Sequence, residues 1–263
     1  MKKSLLTLTC TVYFCCTAFA QKADTITTAS GMKYFFKTKG SGPAFIPGQL
    51  AIVDYILTLT NGKQIDATAD RGTPFAAQVP GKLIKGFNEA IPLMHIGDRA
   101  VFILPPDIAY GEKGTGPIPP NATLVFDITL LDMKAKSLGM VLDSILFAKP
   151  VTADSKPQMD TVLKTFNALK KTKFKDLYIS ENDLNTIGYE IIKKYPADAV
   201  ELFKLNVKLY PKSYNAYDSL AEGYMDMGDN KQAIKNYKKS LRLNPKNTNA
   251  TDMIKKMQGG GKP

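Results

Sequence analysis

The side chains of this chain that could form a site are mostly aromatic. Tyr55, Phe75, Phe87, Tyr110 and Phe126 fall in five separate segments of its first half. Aromatics from different segments can converge as core, or they can line a cleft for an apolar ligand; both readings are open. The stretch AYGEKGTGPIPPNATLVFD, residues 109–127, runs a glycine- and proline-rich loop into a strand with Leu124, Phe126, Ile128 and Leu130 on one face. It is either a structural corner or the rim of an apolar pocket. Asp66 and Arg71 sit close together after a hairpin signal, as an ion pair of the hairpin or as a polar group beside a site. Other chemistries lack parts. His95 is the only histidine and precedes a Gly-Asp turn, so it has no second metal ligand. Gly111 to Gly116 holds three glycines without the Lys-Ser/Thr pair of a phosphate loop. No cofactor and no metal are expected.

Cys10, Cys15 and Cys16 are the only cysteines, and all lie in the first twenty residues. That stretch reads as a leader. Lys2 and Lys3 precede an apolar run from Leu5 to Phe14, and Ala18-Phe19-Ala20 has the small-x-small pattern of a cleavage site. The run is too short for a comfortable membrane span, and Phe14 and Cys15 are unsuited to the small position before a lipidated cysteine. Cleavage near Ala20 would leave a cysteine-free chain beginning at Gln21, without disulfides or thiol chemistry. The expected location is exported, periplasmic or secreted, with no stable membrane insertion.

The formal charge of +11 is uneven. Residues 22–133 hold ten Lys/Arg and ten Asp/Glu, whereas residues 134–263 hold twenty-three against fourteen. The shift marks a division near residue 133. The basic half reads as a lysine-rich solvated helical surface. It lacks the basic-aromatic pattern of a nucleic-acid module, so no nucleic-acid partner is expected.

The elements that must position the aromatics are mainly strands. Met32–Lys39, Ala51–Leu59, Lys63–Thr68, Phe75–Val79, Arg99–Leu104 and the strand after Asn121 all carry strand patterns. Asn61-Gly62 marks a hairpin. Gly86 to Met94 reads as a short helix with Phe87, Ile91 and Met94 on one side. The expectation is an α+β domain, an antiparallel sheet of about five strands covered by one short helix.

An ordered set of motifs then carries a family resemblance. "VDY" at 53–55 is followed by Asn61-Gly62-Lys63-Gln64-Ile65-Asp66, "DRGTPF" at 70–75 and "LIKGFNEAI" at 83–91. "IGDRA" at 96–100, "PPDIAYG" at 105–111 and "IPPNATLVFDITLL" at 118–131 complete it. Residues 31–133 resemble an FKBP-type peptidyl-prolyl isomerase domain, and 21–133 is taken as its extent. The resemblance implies an antiparallel half-barrel sheet wrapped on one short helix, with a pocket between them. Carried over position by position, it implies catalytic roles for Tyr55, Asp66, Tyr110 and Phe126. It implies substrate-binding roles for Arg71, Phe75, Leu83, Ile84, Phe87 and Ile118. The Ile84 N–H and the Tyr110 hydroxyl would hold substrate carbonyls, Phe87 and Phe126 would bed the proline ring, and Asp66 would sit near the twisting carbonyl in a network with Tyr55 and Arg71. Two positions depart from the family pattern. Phe87 stands where a tryptophan is usual, and Ile65 where an aromatic is usual. The implied reaction needs no nucleophile. The barrier to turning an X-Pro bond is amide resonance, about 18–20 kcal/mol, and a dry apolar site disfavours the planar amide's dipole relative to the twisted form.

The second half reads as helices: Ser137–Phe147, Asp160–Lys171 and one capped at Ser180-Glu181-Asn182-Asp183 as a capping box. Residues 134–180 are taken as a helical linker region, with Val151–Pro157 as its loop. Ala199, Phe203 and Pro211 recur as Ala233, Tyr237 and Pro245, each thirty-four residues on. Residues 181–258 thus resemble tetratricopeptide (TPR) repeats, an all-α repeat domain, followed by a flexible tail at 259–263. The resemblances imply an exported peptidyl-prolyl isomerase acting on proline-containing polypeptides, with a protein partner at the repeats and a monomeric state. The alternative is a non-catalytic proline-peptide-binding chaperone or adaptor.

Overall fold

A computed structural model describes residues 24–147 and 155–259. The leader, its cysteines and cleavage site, four residues of the Val151–Pro157 loop (151–154) and residues 260–263 of the tail lie outside the described residues.

The first half forms an antiparallel sheet of seven strands. They are β1 (Ile26–Thr27), β2 (Lys33–Thr38), β3 (Leu50–Leu59), β4 (Gln64–Ala67), β5 (Phe75–Gln78), β6 (Arg99–Leu104) and β7 (Leu124–Lys134). Six of these match the segments with strand patterns, and only β1 was not expected. β1 is two residues long, and β4 and β5 share one side of β3 rather than each extending the sheet. The order is β1-β2-β6-β7-β3-β4. The α1 turn (Thr68–Arg71) follows β4, and α2 (Lys85–Ala90) continues as a 3-10 turn over Ile91–Leu93. Period-two alternation puts Leu124, Phe126, Ile128 and Leu130 of β7 inside. They meet Phe87, Ala90, Ile91 and Met94 from the helical segment in one core.

One detail of this sheet positions the site. Leu50–Val53 of β3 pair with β5, and Ile56–Thr58 pair with β4. Asp54 and Tyr55 fall in the gap between the two partners. There the Thr68 hydroxyl replaces a ladder carbonyl and accepts from Tyr55 N–H at 3.1 Å, while donating to Asp54 at 2.9 Å. A side chain serves because the chain is leaving β4 for α1 at that point, and a buried N–H needs a partner.

The second half is helical. A two-residue parallel pairing joins β8 (Lys136–Ser137) to β9 (Leu177–Tyr178). Around it stand α3 (Leu138–Leu146), α4 (Met159–Lys171), α5 (Glu181–Ile191) and α6 (Pro196–Leu209). Next come α7 (Tyr214–Asp226), α8 (Asn230–Leu243) and α9 (Thr248–Gln258). Leu138, Leu142, Val162 and Phe166 of α3 and α4 share one core with Leu184, Leu202 and Phe203 of α5 and α6. The two helices ahead of residue 181 are therefore packed members of the helical layer.

Ser180 caps α5, its hydroxyl accepting from Asn182 N–H at 3.2 Å. The other half of the expected capping box is used differently. Asp183 accepts from Gly139 N–H at 3.3 Å and so ties α5 to the start of α3. Burial pushes its carboxyl above the ordinary range. Gly188, an unusual residue for a helix interior, is explained by packing. A Cβ there would lie 2.4 Å from the Phe203 ring. Among the described residues no helix is long and apolar enough to cross a membrane.

Candidate functional site

β3, β5, α2 and β7 each contribute one ring to a closed set of four. Tyr55 meets Phe75 at 5.8 Å and Phe126 at 5.7 Å between ring centres. Phe87 meets Phe75 at 5.9 Å and Phe126 at 5.8 Å. All four contacts are edge-on, the arrangement ring quadrupoles favour. Phe87 and Phe126 are 4% and 5% exposed and belong to the core. The same rings also border a cavity of about 400 Å³, together with Lys82, Leu83, Ile84 and Tyr110. The two readings of the aromatics are thus joined: the core's edge is the cavity wall.

The expected site residues are distributed as follows. Tyr55, Phe75, Leu83, Ile84, Phe87, Tyr110 and Phe126 line the cavity. Asp66 and Arg71 do not line it but reach it through Tyr55. The Tyr55 hydroxyl donates to Asp66, Arg71 also donates to Asp66, and a second Arg71 nitrogen donates to the Tyr55 oxygen at 3.1 Å. Ile118 is buried, 6% exposed, and lies in the core rather than on the wall. Ile65, at the other departure from the family pattern, packs half-buried against that core.

The network fixes protonation states. Burial, then the hydrogen bond to Asp66, push the Tyr55 phenol above its ordinary value. Burial works against the Asp66 charge, but donation from Tyr55 and Arg71 outweighs it and holds the carboxyl below its ordinary 3.8. Asp66 is an ionised acceptor, and Tyr55 keeps its proton.

Two polar groups at the cavity remain unengaged. Among the described residues, the Ile84 N–H has no acceptor and the Tyr110 hydroxyl has no hydrogen-bond partner. Tyr110 is 39% exposed at the mouth. Beyond it, the rim closes on itself. Thr115 and Ile118 exchange backbone hydrogen bonds of 3.0 and 2.8 Å, and Gly114 sits at φ +64°, where a Cβ would lie 2.3 Å from the Ile118 carbonyl oxygen. The stretch 109–127 is therefore a corner that forms a rim, with Tyr110 at the lip and Phe126 in the wall.

Sequence reasoning missed two features. Lys82 lines the cavity; its place directly before Leu83-Ile84 was the available signal. Thr68, 3% exposed, holds the Tyr55 backbone; no sequence signal marks where a ladder changes partners. A larger concavity of about 540 Å³ on the helical half is lined by Asn182, Asn185, Thr186, Tyr189 and Glu190. These residues all belong to α5, so nothing converges on a ligand from two sides.

Residues 43–131 match the family described as FKBP-type peptidyl-prolyl cis-trans isomerase. A peptidyl-prolyl cis-trans isomerase of Schizosaccharomyces pombe is 43% identical over 102 residues, 38% of this chain and 91% of that protein. A probable FKBP-type isomerase of Haemophilus influenzae is 38% identical over 120 residues, 45% of this chain and 49% of the relative. The FKBP-type isomerase FkpA of Escherichia coli K12 is 33% identical over 153 residues, 58% and 50% of the two chains. The match spans about half the length of these two bacterial relatives.

Proposed function

Since this chain belongs to the FKBP-type peptidyl-prolyl cis-trans isomerase family, we propose that its four-ring cavity catalyses cis–trans isomerisation of X-Pro bonds in exported polypeptides. One observation carries this reading. An aromatic cavity presents two unengaged polar groups at its wall, the Ile84 N–H and the Tyr110 hydroxyl. The proline ring enters among Phe87, Phe126, Phe75 and Tyr55. The Ile84 N–H and Tyr110 hydroxyl hold the backbone carbonyls on either side of it. The bond to be turned then lies in apolar surroundings, where the planar amide's charge separation is poorly solvated and the twisted form loses less. Asp66, ionised and held by Arg71, keeps the Tyr55 ring and hydroxyl in one orientation. Leu83 completes the wall, and Ile118 supports the rim from the core. No bond to the substrate is made or broken.

The leader read at residues 1–20 supports work on exported chains, where slow X-Pro steps limit folding. Residues 181–258 are proposed as tetratricopeptide-like repeats that dock a protein partner. Ala199 and Phe203 of α6 and Ala233 and Tyr237 of α8, thirty-four residues apart, are all fully buried, which supports a repeated unit.

Exchange spectroscopy on a proline tetrapeptide tests the enzyme reading. The full chain is expected to speed interconversion well beyond the uncatalysed tens to hundreds of seconds. Peptide binding without acceleration would reject catalysis in favour of a proline-binding chaperone or adaptor.

A further inference from the structure

The cavity wall holds one charged residue, Lys82. The loop that carries it is tightly held. Asn88 of α2 accepts from Gly81 N–H at 2.9 Å and donates to the Gly81 and Leu83 carbonyls at 3.1 and 3.3 Å. Leu83 N–H also reaches the Gly81 carbonyl at 2.8 Å. One side chain thus brackets Lys82 from both sides and ties it to the helix that supplies Phe87. Lys82 itself is exposed, and no carboxylate among the described residues pairs with it. Asp66 is engaged with Arg71 and Tyr55, and Glu89 of α2 with Ser30. The wall therefore presents a positive charge that no lining residue offsets. It stands two residues from the Ile84 N–H, a separation of at most about 7 Å, which the flexible four-carbon stem of a lysine can bridge.

We propose that Lys82 is a specificity-determining residue that favours substrates with an aspartate or glutamate flanking the proline. The proposal rests on the isomerase reading above. When Ile84 N–H holds a carbonyl beside the proline, the neighbouring side chain falls within reach of the Lys82 ammonium. A single charge pair about 6 Å apart in a nearly aqueous setting gives about a threefold preference. The carboxylate is present in both planar and twisted forms, so the gain belongs to KM rather than kcat.

The test uses the full chain and two sets of four tetrapeptides, with glutamate, glutamine, leucine or lysine placed before the proline in one set and after it in the other. Exchange spectroscopy gives kcat and KM at about 25 mM and about 500 mM salt, conditions of weak and strong screening. At low salt the glutamate peptide is expected to exceed the glutamine peptide about threefold in kcat/KM at one of the two positions. The difference should lie in KM and collapse at high salt. Lys82→Gln should abolish the preference, and Lys82→Glu should turn it toward lysine. Equal glutamate and glutamine values at low salt, or a preference unmoved by Lys82→Glu, would overturn the assignment while acceleration of the leucine peptide upholds the isomerase reading. No acceleration of any peptide would overturn both.

Discussion

Replacing Tyr110 by phenylalanine separates binding chemistry from folding. The hydroxyl lies at the cavity mouth, on a residue 39% exposed, and has no hydrogen-bond partner among the described residues. Its removal leaves no buried group unpaired and opens no cavity, so stability should change by no more than about 0.5 kcal/mol. In the proposed complex, however, that hydroxyl donates to a substrate carbonyl. A neutral hydrogen bond contributes about 0.5–1.5 kcal/mol net, which at an RT of about 0.59 kcal/mol corresponds to about 2- to 13-fold in kcat/KM. Tyr55→Phe provides the contrast. That hydroxyl is bonded to both Asp66 and Arg71, so its loss should lower both melting temperature and activity. The assay is a proline-tetrapeptide exchange measurement paired with thermal denaturation of each variant. Unchanged kcat/KM in Tyr110→Phe would refute the hydroxyl's role, and a melting temperature that falls as far as that of Tyr55→Phe would refute the claim that it is free.

Three further outcomes are expected. Thr68→Val leaves the Tyr55 N–H without an acceptor and should cost about 1–3 kcal/mol in urea unfolding, whereas Thr68→Ser should retain most of the stability; equal losses would show that the hydroxyl does not hold the strand. Asp66 has a depressed carboxyl pKa, so its contribution to stability is full above the ordinary value of 3.8 and is lost as pH falls through the lower folded value. Arg71→Ala should therefore move the acid unfolding midpoint to higher pH, and an unmoved midpoint would count against the pair. Gly188→Ala should destabilise the helical half by about 1–3 kcal/mol through overpacking against Phe203, despite alanine's better helix propensity; a rise in melting temperature would reject that packing argument.

The strands and the short helix were legible because their apolar spacing and turn residues are local. β7 is the clearest case: alternation alone put Leu124, Phe126, Ile128 and Leu130 on one face, and that face is buried. Seven of the ten expected site residues border the cavity for a related reason, since the motifs that name them lie in order along the chain. Asp183 was misjudged because a cap and a distant partner compete for one carboxylate, and the competitor, Gly139, is forty-four residues away. The glycine in α5 could be seen, but not the Phe203 ring that requires it.

By itself, the amino-acid order determined the two halves, the aromatic inventory of the site and the thirty-four-residue offset of the helices. All of these follow from periodicity and residue type, which neighbours along the chain suffice to express. Only the tertiary structure decided that four rings meet edge to edge, that Ile118 turns into the core and that Lys82 stands in the wall. It also placed Tyr55 where β3 changes partners, with a threonine hydroxyl completing the ladder. These outcomes depend on contacts between elements far apart in the chain, and residue spacing does not record which side of a crowded interface a given side chain will occupy.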